Sequence, residues 1–492
     1  MEQQDDLFLL VKSLNKSEKK FFTQYVNLYE KGASPIYLQV FNFLNDEERY
    51  DEERLFKKFR DQKFRKNYPV TKHYLKNLII KTMRHSELTV REDKDITVQV
   101  LDIKRLMAKG LLPMAKRMIE KLKEEAIQAE KLNDLLQLIT MQRGLIAIGY
   151  YRHEPHITLD TLDAEEDLLI EKIKQLRQLM NANIKLHSMM HFEIDNVPAE
   201  VKREVEQLVK NNYLQNYDEM KSAKARHTFL EFWTLYYCAL GDYKKYYEYA
   251  QKKLDFVRHE KLPPTVSNWL VIAYNHYMAA SLLTGNFSEF EKNLTFLEQM
   301  HLHSHFHDAD RFQTVSIYAL LYYIRQGDEE RIRRYIQYSK DGLENHAPFV
   351  HKSFVYSLRA TIAYAYLRLK QYDDCLKEVN ELLSVTHGET RRDYVGLVRI
   401  INLMLRYEMK ELGYLANLLK STYRFFVNYL YTSPVHQFAM SYMKDAIRLT
   451  DSRKRAELNA TYREKLEQLR YNPAEADFII VMMMTDYLRR SE

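Results

Sequence analysis

Four histidines alternate in the segment MHLHSHFHDAD: His301, His303, His305 and His307, followed by Asp308 and Asp310. Four imidazoles so close together can chelate zinc or another transition metal, and on a helix 301/305 and 303/307 form i,i+4 pairs. The run also reads as a polar loop, with Asp308 or Asp310 the N-cap of a helix over 311–324. His187 and His191 are again four apart, but a zinc protease needs Glu directly after the first, and Ser188 stands there. No GxGxxG, GxxxxGK(S/T) or GxSxG occurs, and 11 glycines in 492 residues leave little for a phosphate cradle. The carboxylates of 160–167 suit a helix start, where the dipole favours negative charge. The chain reads as non-catalytic and without a cofactor, the four histidines being its metal candidates.

Charge offers a second chemistry. The net charge is +6, yet Arg54 to Arg84 holds eleven basic residues against one acid, Asp61. They are Arg54, Lys57, Lys58, Arg60, Lys63, Arg65, Lys66, Lys72, Lys76, Lys81 and Arg84. Two basic helices around a Pro-containing turn suit a helix-turn-helix variant, with 73–85 in a groove and the helix before it on phosphates. The alternatives are an acidic protein partner, or a solvated face paired with carboxylates such as those of 46–53 or 163–167.

The elements that position these groups follow from composition. Gly and Pro number 11 and 10, too few for the turns of sandwiches, barrels or doubly wound sheets. With 46% hydrophobic and 13% aromatic residues the chain is all-helical and not disordered. Two distant cysteines, Cys238 and Cys375, suit a reducing compartment. No signal peptide or membrane-spanning stretch is evident, so a cytoplasmic protein with no membrane association is expected.

Short polar breaks recur at Gly241-Asp242-Tyr243, Gly285-Asn286-Phe287, Gly327-Asp328-Glu329, Lys370-Gln371-Tyr372 and Leu412-Gly413-Tyr414. Their third residues are 44, 42, 43 and 42 apart. The repeating unit is a pair of helices joined by a tight turn, Gly ending a helix in the left-handed conformation. Weaker breaks near 110–113, 153–159 and 195–198 extend the rhythm upstream, giving about eight hairpins over roughly 95–430. The turn residues, with Tyr237, Tyr323 and Tyr366 each shortly before a break, resemble the tetratricopeptide repeat. The period is about 43 rather than 34, and bulky Tyr246, Met278, Phe290 and Leu320 stand where that family places small residues, whereas Ala363 and Cys375 fit. The resemblance implies a right-handed superhelix binding a peptide or protein in a concave groove. Its groove-facing positions would include Glu231, Asn275, Arg325, Tyr364 and Arg368. The opening LFLLVKSLNKSEKKFF resembles bacterial helical-repeat proteins without assigned function.

Three regions are therefore expected: a basic helical domain over 1–92, the array over 93–432 and a helical cap over 433–492. In the first, Asn15 with Glu18 reads as a capping box, Phe21, Phe22, Tyr25 and Leu28 share a face, and Thr71 caps a helix over 73–85. That helix would bury Leu75, Leu78, Ile79, Thr82 and Met83 and turn His73, Asn77, Lys81 and Arg84 outward. The last, apolar stretch, 474–488, would shield the end of the array. Of the 37 tyrosines, many adjoin in pairs such as Tyr322 and Tyr323, so one of each pair should face away from the seam between helices. The expected function is a scaffold binding a protein or peptide; the alternative is a regulator contacting DNA through 1–90, with the array sensing a partner.

Overall fold

A computed structural model describes residues 5–14, 16–29, 35–47, 50–91, 95–189, 199–260, 267–302, 305–384, 392–428, 433–449, 451–469 and 475–489. The described residues are all-helical, with 23 α-helices and no strand. No helix among them is long and apolar enough to cross a membrane. The chain divides into two compact units, residues 1–126 with 133–155, and residues 127–132 with 156–492.

The first unit holds α1 (Asp6–Ser13), α2 (Lys16–Tyr29), α3 (Pro35–Asp46), α4 (Glu52–Lys58), α5 (Gln62–Arg91), α6 (Ile96–Ala108), most of α7 (Leu112–Gln128) and α8 (Leu132–Ala147). Asp5 caps α1, accepting from the Leu7 and Phe8 amides, and also pairs with Lys72 of α5. Phe22, Phe41, Leu55, Leu75, Leu78 and Ile79 are buried together under α1 to α5. Hydrogen bonds from Thr97 to Asp134 (3.1 Å) and from Lys123 to Gln142 (2.7 Å) tie α6 and α7 to α8. The unit thus extends beyond residue 92, where composition placed a boundary.

Several local expectations are corrected here. Helix α5 runs through Pro69 without a break, so the turn after α4 lies at 59–61 and Thr71 sits buried inside the helix. Phe64 and Tyr68 before it and Leu75, Leu78 and Ile79 after it are buried in one core, and that packing carries the helix past one proline. A helix-turn-helix with its turn at Pro69 is therefore not formed. Leu28 is exposed rather than on the shared face. Asn15 lies outside the described residues.

The second unit contains α9 (Leu159–Met189), α10 (Ala199–Val209), α11 (Ala223–Ala239), α12 (Tyr243–His259), α13 (Ser267–Thr284), α14 (Phe290–Gln299), α15 (His305–Gln326), α16 (Glu329–Asn345), α17 (Lys352–Arg368), α18 (Tyr372–Ser384), α19 (Arg392–Glu408), α20 (Leu412–Asn428), α21 (Pro434–Ala446), α22 (Ser452–Glu467) and α23 (Glu475–Arg489). Turns between paired helices fall where the punctuation indicated, with Gly241, Gly285 and Gly327 at φ near +70° and Lys370 at φ 57°. At the fifth break the left-handed residue is Lys410, while Gly413 lies inside α20. The pairing is not uniform. Residues 159–189 form one helix where two were expected, since no Gly or Pro interrupts them. The break near 195–198 lies outside the described residues.

Helices α13, α15, α17 and α19 lie in a row, each packed on the next odd-numbered one. Helix α23 packs against α15, α17, α19, α21 and α22. It is no terminal cap: the Phe478 ring reaches Tyr318, at 6.0 Å between centroids. Covered on more than one side, α15 is buried without interruption from Thr314 to Ile324. Both Tyr322 and Tyr323 are therefore buried, stacked on Phe290 and Tyr335 respectively, against the expectation that one would face away.

Gly342 shows how tight this packing is. A Cβ there would overlap the ring of buried Phe312 on α15. Gly342→Ala should lower the free energy of unfolding by about 1–3 kcal/mol, the usual cost of overpacking a core, despite the better helix propensity of Ala. Urea unfolding followed by circular dichroism measures it; an equal or raised midpoint contradicts the packing.

Candidate functional site

The expected groove positions fall into two groups. Tyr364 and Arg368 meet the chain's own helix α23, and Arg325 is held by the end of α13 and the turn after it. Asp486 of α23, 5% exposed, accepts from the Tyr364 hydroxyl at 2.7 Å, and the Arg368 guanidinium pairs with it at 2.6 Å. The Tyr364 hydroxyl also lies 3.0 Å from the Met483 carbonyl. Arg325 donates to the Leu282 carbonyl (2.7 Å) and lies over the Phe287 ring. Burial presses its pKa down to about 10, and Arg489 adds to the shift while Asp486 opposes it. Tyr364 and Arg368 do not line an open groove. The expectation is corrected, because an apolar helix from the chain itself lies against them.

Glu231 and Asn275 occupy a different place. Glu231 forms an ion pair with Lys253, whose side chain is completely buried on α12. It also stands 3.5 Å from Nε2 of His276 on α13. The other ring nitrogen of His276, Nδ1, lies 3.2 Å from the Tyr246 hydroxyl. Cys238 adjoins Tyr246, so a chain of polar groups runs from Lys253 through Glu231, His276 and Tyr246 to a thiol. Burial sets the protonation states. It presses the Lys253 ammonium below its ordinary range, His276 well below neutrality, and raises the Cys238 thiol to about 12. The Asn275 amide lies 3.5 Å from the Thr314 hydroxyl and 3.4 Å from that of Tyr318.

Sequence reading did not single out Lys253, His276 or Asp486. A signal existed for Lys253: Tyr246, Ala250, Lys253, Leu254 and Val257 form the buried face of α12, and a lysine on such a stripe needs a partner. Asp486 likewise interrupts an apolar run.

Only part of the histidine segment falls among the described residues. His301 is exposed before α15, His303 lies outside the described residues, as does the side chain of His305, and His307 is half-buried in the first turn. Asp308 is inside α15 and pairs with Arg311 at 2.8 Å, rather than capping a later helix start. Among the described residues no group of three or more His, Cys, Asp or Glu side chains could hold a metal ion. His191 is also outside the described residues.

In the first unit the basic side chains divide. Lys72 and Lys76 pair with Asp5 and Asp6, and Arg54 with Glu47, so the acidic counterpart is mainly the start of α1 rather than 46–53. Lys58, Arg65 and Lys81 lie over the rings of Phe43, Phe56 and Tyr25. Lys57, Arg60, Lys63, Lys66 and Arg84 are exposed and form no ion pair among the described residues.

Comparison with known proteins adds no relative: no family model, no curated protein and no solved structure matches the chain.

Acid stability follows from the histidines around Lys253. His227 on α11 is buried, stacked on Trp269 at 3.9 Å, and held down to a pKa of about 2 by burial, with the Lys253 and His276 charges adding to it. The unfolded chain takes up this proton near pH 6.5 and the native chain does not. The contribution is therefore complete above pH 6.5 and lost as pH falls below it, by about 1.4 kcal/mol per pH unit for such a group. His227→Phe keeps the stack and removes the titration. Between pH 7 and pH 5 the variant should lose about 2 kcal/mol less stability than the parent in urea unfolding; equal losses contradict the assignment.

Proposed function

We propose that the chain is a non-catalytic helical-repeat scaffold, a diverged tetratricopeptide-like array, that holds a helical segment of a protein partner against its first-helix row. The observation that carries this reading is the way α15, α17 and α19 grip α23. They bury its apolar residues and meet the carboxylate of Asp486, near its C-terminal end, with Arg368 and Tyr364. Binding by an apolar helix is a common mode of peptide recognition, with specificity supplied by a few polar contacts. The partner segment would share the chemistry of α23, apolar with buried acidic residues at the places of Asp477 and Asp486, and would compete with it. A cytoplasmic setting suits two buried, unpaired thiols.

Asp486→Ala tests this. Leaving Arg368 without its partner should cost about 3 kcal/mol, the low end for breaking a buried pair. The weakened α23 should then yield its place to a labelled peptide of residues 475–489, seen by fluorescence anisotropy, while the parent chain binds it at least tenfold more weakly. If neither chain binds the peptide, the row does not exchange helices and the reading fails.

A second reading rests on a separate observation. From Lys63 to Arg84 helix α5 carries no Asp or Glu, and Lys63, Lys66, Asn67, Val70, His73, Asn77, Lys81 and Arg84 form one exposed face about 32 Å long. Lys and Arg suit phosphates, Asn suits base edges, and an exposed Val suits a thymine methyl, so this face fits duplex DNA in its major groove. Changing Lys57, Arg60, Lys63 and Lys66 to Gln should leave helicity intact and weaken duplex binding steeply. The slope of log K against log salt should fall by about 0.9 for each phosphate that the variant no longer neutralises. A slope near zero for the parent chain excludes this partner.

A further inference from the structure

The second unit contains a cavity of about 330 Å³ lined from α11, α12, α13, α15 and α17, and Phe478 and Ile479 of α23 supply part of its wall. It is a half-open cleft rather than a sealed void, so solvent-borne molecules can reach it. It falls at the small end of the range for sites that hold small molecules. Most of the wall is apolar. The polar groups are Asn275, His276, Gln313, Tyr246, Cys238 and Tyr318, and the Tyr318 hydroxyl already donates to Asn275.

These groups define what can enter. Behind the wall Glu231 and Lys253 neutralise one another, so neither offers a free charge. Burial keeps the imidazole of His276, the phenol of Tyr246 and the thiol of Cys238 uncharged at neutral pH. The carboxylate nearest to Gln313, Asp310, lies 3.4 Å from its Nε2 and would repel an anion. Two carboxamides remain. Asn275 reaches its protein partners only at 3.4 and 3.5 Å, and Gln313 its partner at 3.4 Å, all beyond the usual 2.9–3.0 Å. Both amides therefore have capacity left for a better partner.

The geometry points to a binding site for an uncharged, mostly apolar small molecule bearing one carboxamide or carbonyl group, recognised by Asn275 and Gln313 and walled in part by α23. It stands apart from the partner reading, since it needs no exchange of α23. Because Phe478 and Ile479 belong to α23, an occupant also helps to hold that helix in place.

The test uses the full chain and N-phenyl-1-naphthylamine, an uncharged aromatic amine whose fluorescence rises in apolar surroundings. Saturable one-to-one binding is expected, with benzamide displacing the probe and benzoate failing to do so at equal concentration. Ala279→Phe puts a ring into the cavity and should weaken probe binding more than tenfold without lowering Tm; should it fail to fold, Ala279→Leu serves in its place. Asn275→Leu, similar in volume, should weaken benzamide by roughly threefold to tenfold, the loss of one neutral hydrogen bond. The proposal is overturned by any of three results: no saturable binding, equal binding to a folded Ala279 variant, or benzoate competing as well as benzamide.

Discussion

A carboxylate cannot lie among methionines and isoleucines unless donors meet it. Asp486 is placed that way, between Met484 and Leu488 on a helix buried along most of its length, and Tyr364 and Arg368 supply the donors. Apolar packing alone would let α23 slide or rotate on the row beneath it, because dispersion and burial are non-directional. The pair with Arg368 fixes both register and orientation. Seating α23 in this way requires the first helices to be apolar toward it as well as toward their own partners.

That second requirement explains the composition of α15 and α17. A surface helix keeps a polar face, whereas one covered all round does not. Thr314 to Ile324 and Ala360 to Ala365 are buried without a break, and their tyrosines serve as large apolar bodies whose hydroxyls find local partners. Tyr322 and Tyr323 reach Glu291 and Arg331, and Tyr356 reaches the Leu382 carbonyl. The abundance of tyrosine is thus met by packing between layers of helices. Among the described residues it does not mark an exposed recognition surface on these helices.

The helical class and most turns were legible because they depend on local chemistry: few breakers, and glycine wherever a helix must end left-handed. Gly241, Gly285 and Gly327 are such positions. Less legible were features decided by a distant segment. Nothing near Tyr364 or Arg368 announces a helix more than one hundred residues later in the chain, so an open groove was the natural expectation. Pro69 misled in the opposite direction, since a proline breaks some helices and is tolerated in others, and the neighbouring residues decided the outcome. Lys253 and Asp486 were readable in principle, as charges on apolar stripes, but only their partners' positions reveal why each is kept.

The two buried charge pairs differ in what surrounds them, and this bears on what each does. Asp486 and Arg368 join two helices far apart in sequence, where a single pair sets how one element seats on another. Glu231 and Lys253 join neighbouring helices, α11 and α12, whose turn already fixes their pairing. A buried pair is weak evidence for stability, because packed apolar residues of similar volume do as well or better. Register cannot account for the second pair as it does for the first. What sets it apart is the chain of polar groups that leads from it through His276 and Tyr246 to the wall of a cavity, neutral throughout. Glu231 at the base of that chain and Tyr246 further along hold the His276 ring from both sides, Nε2 toward the carboxylate and Nδ1 toward the Tyr246 hydroxyl.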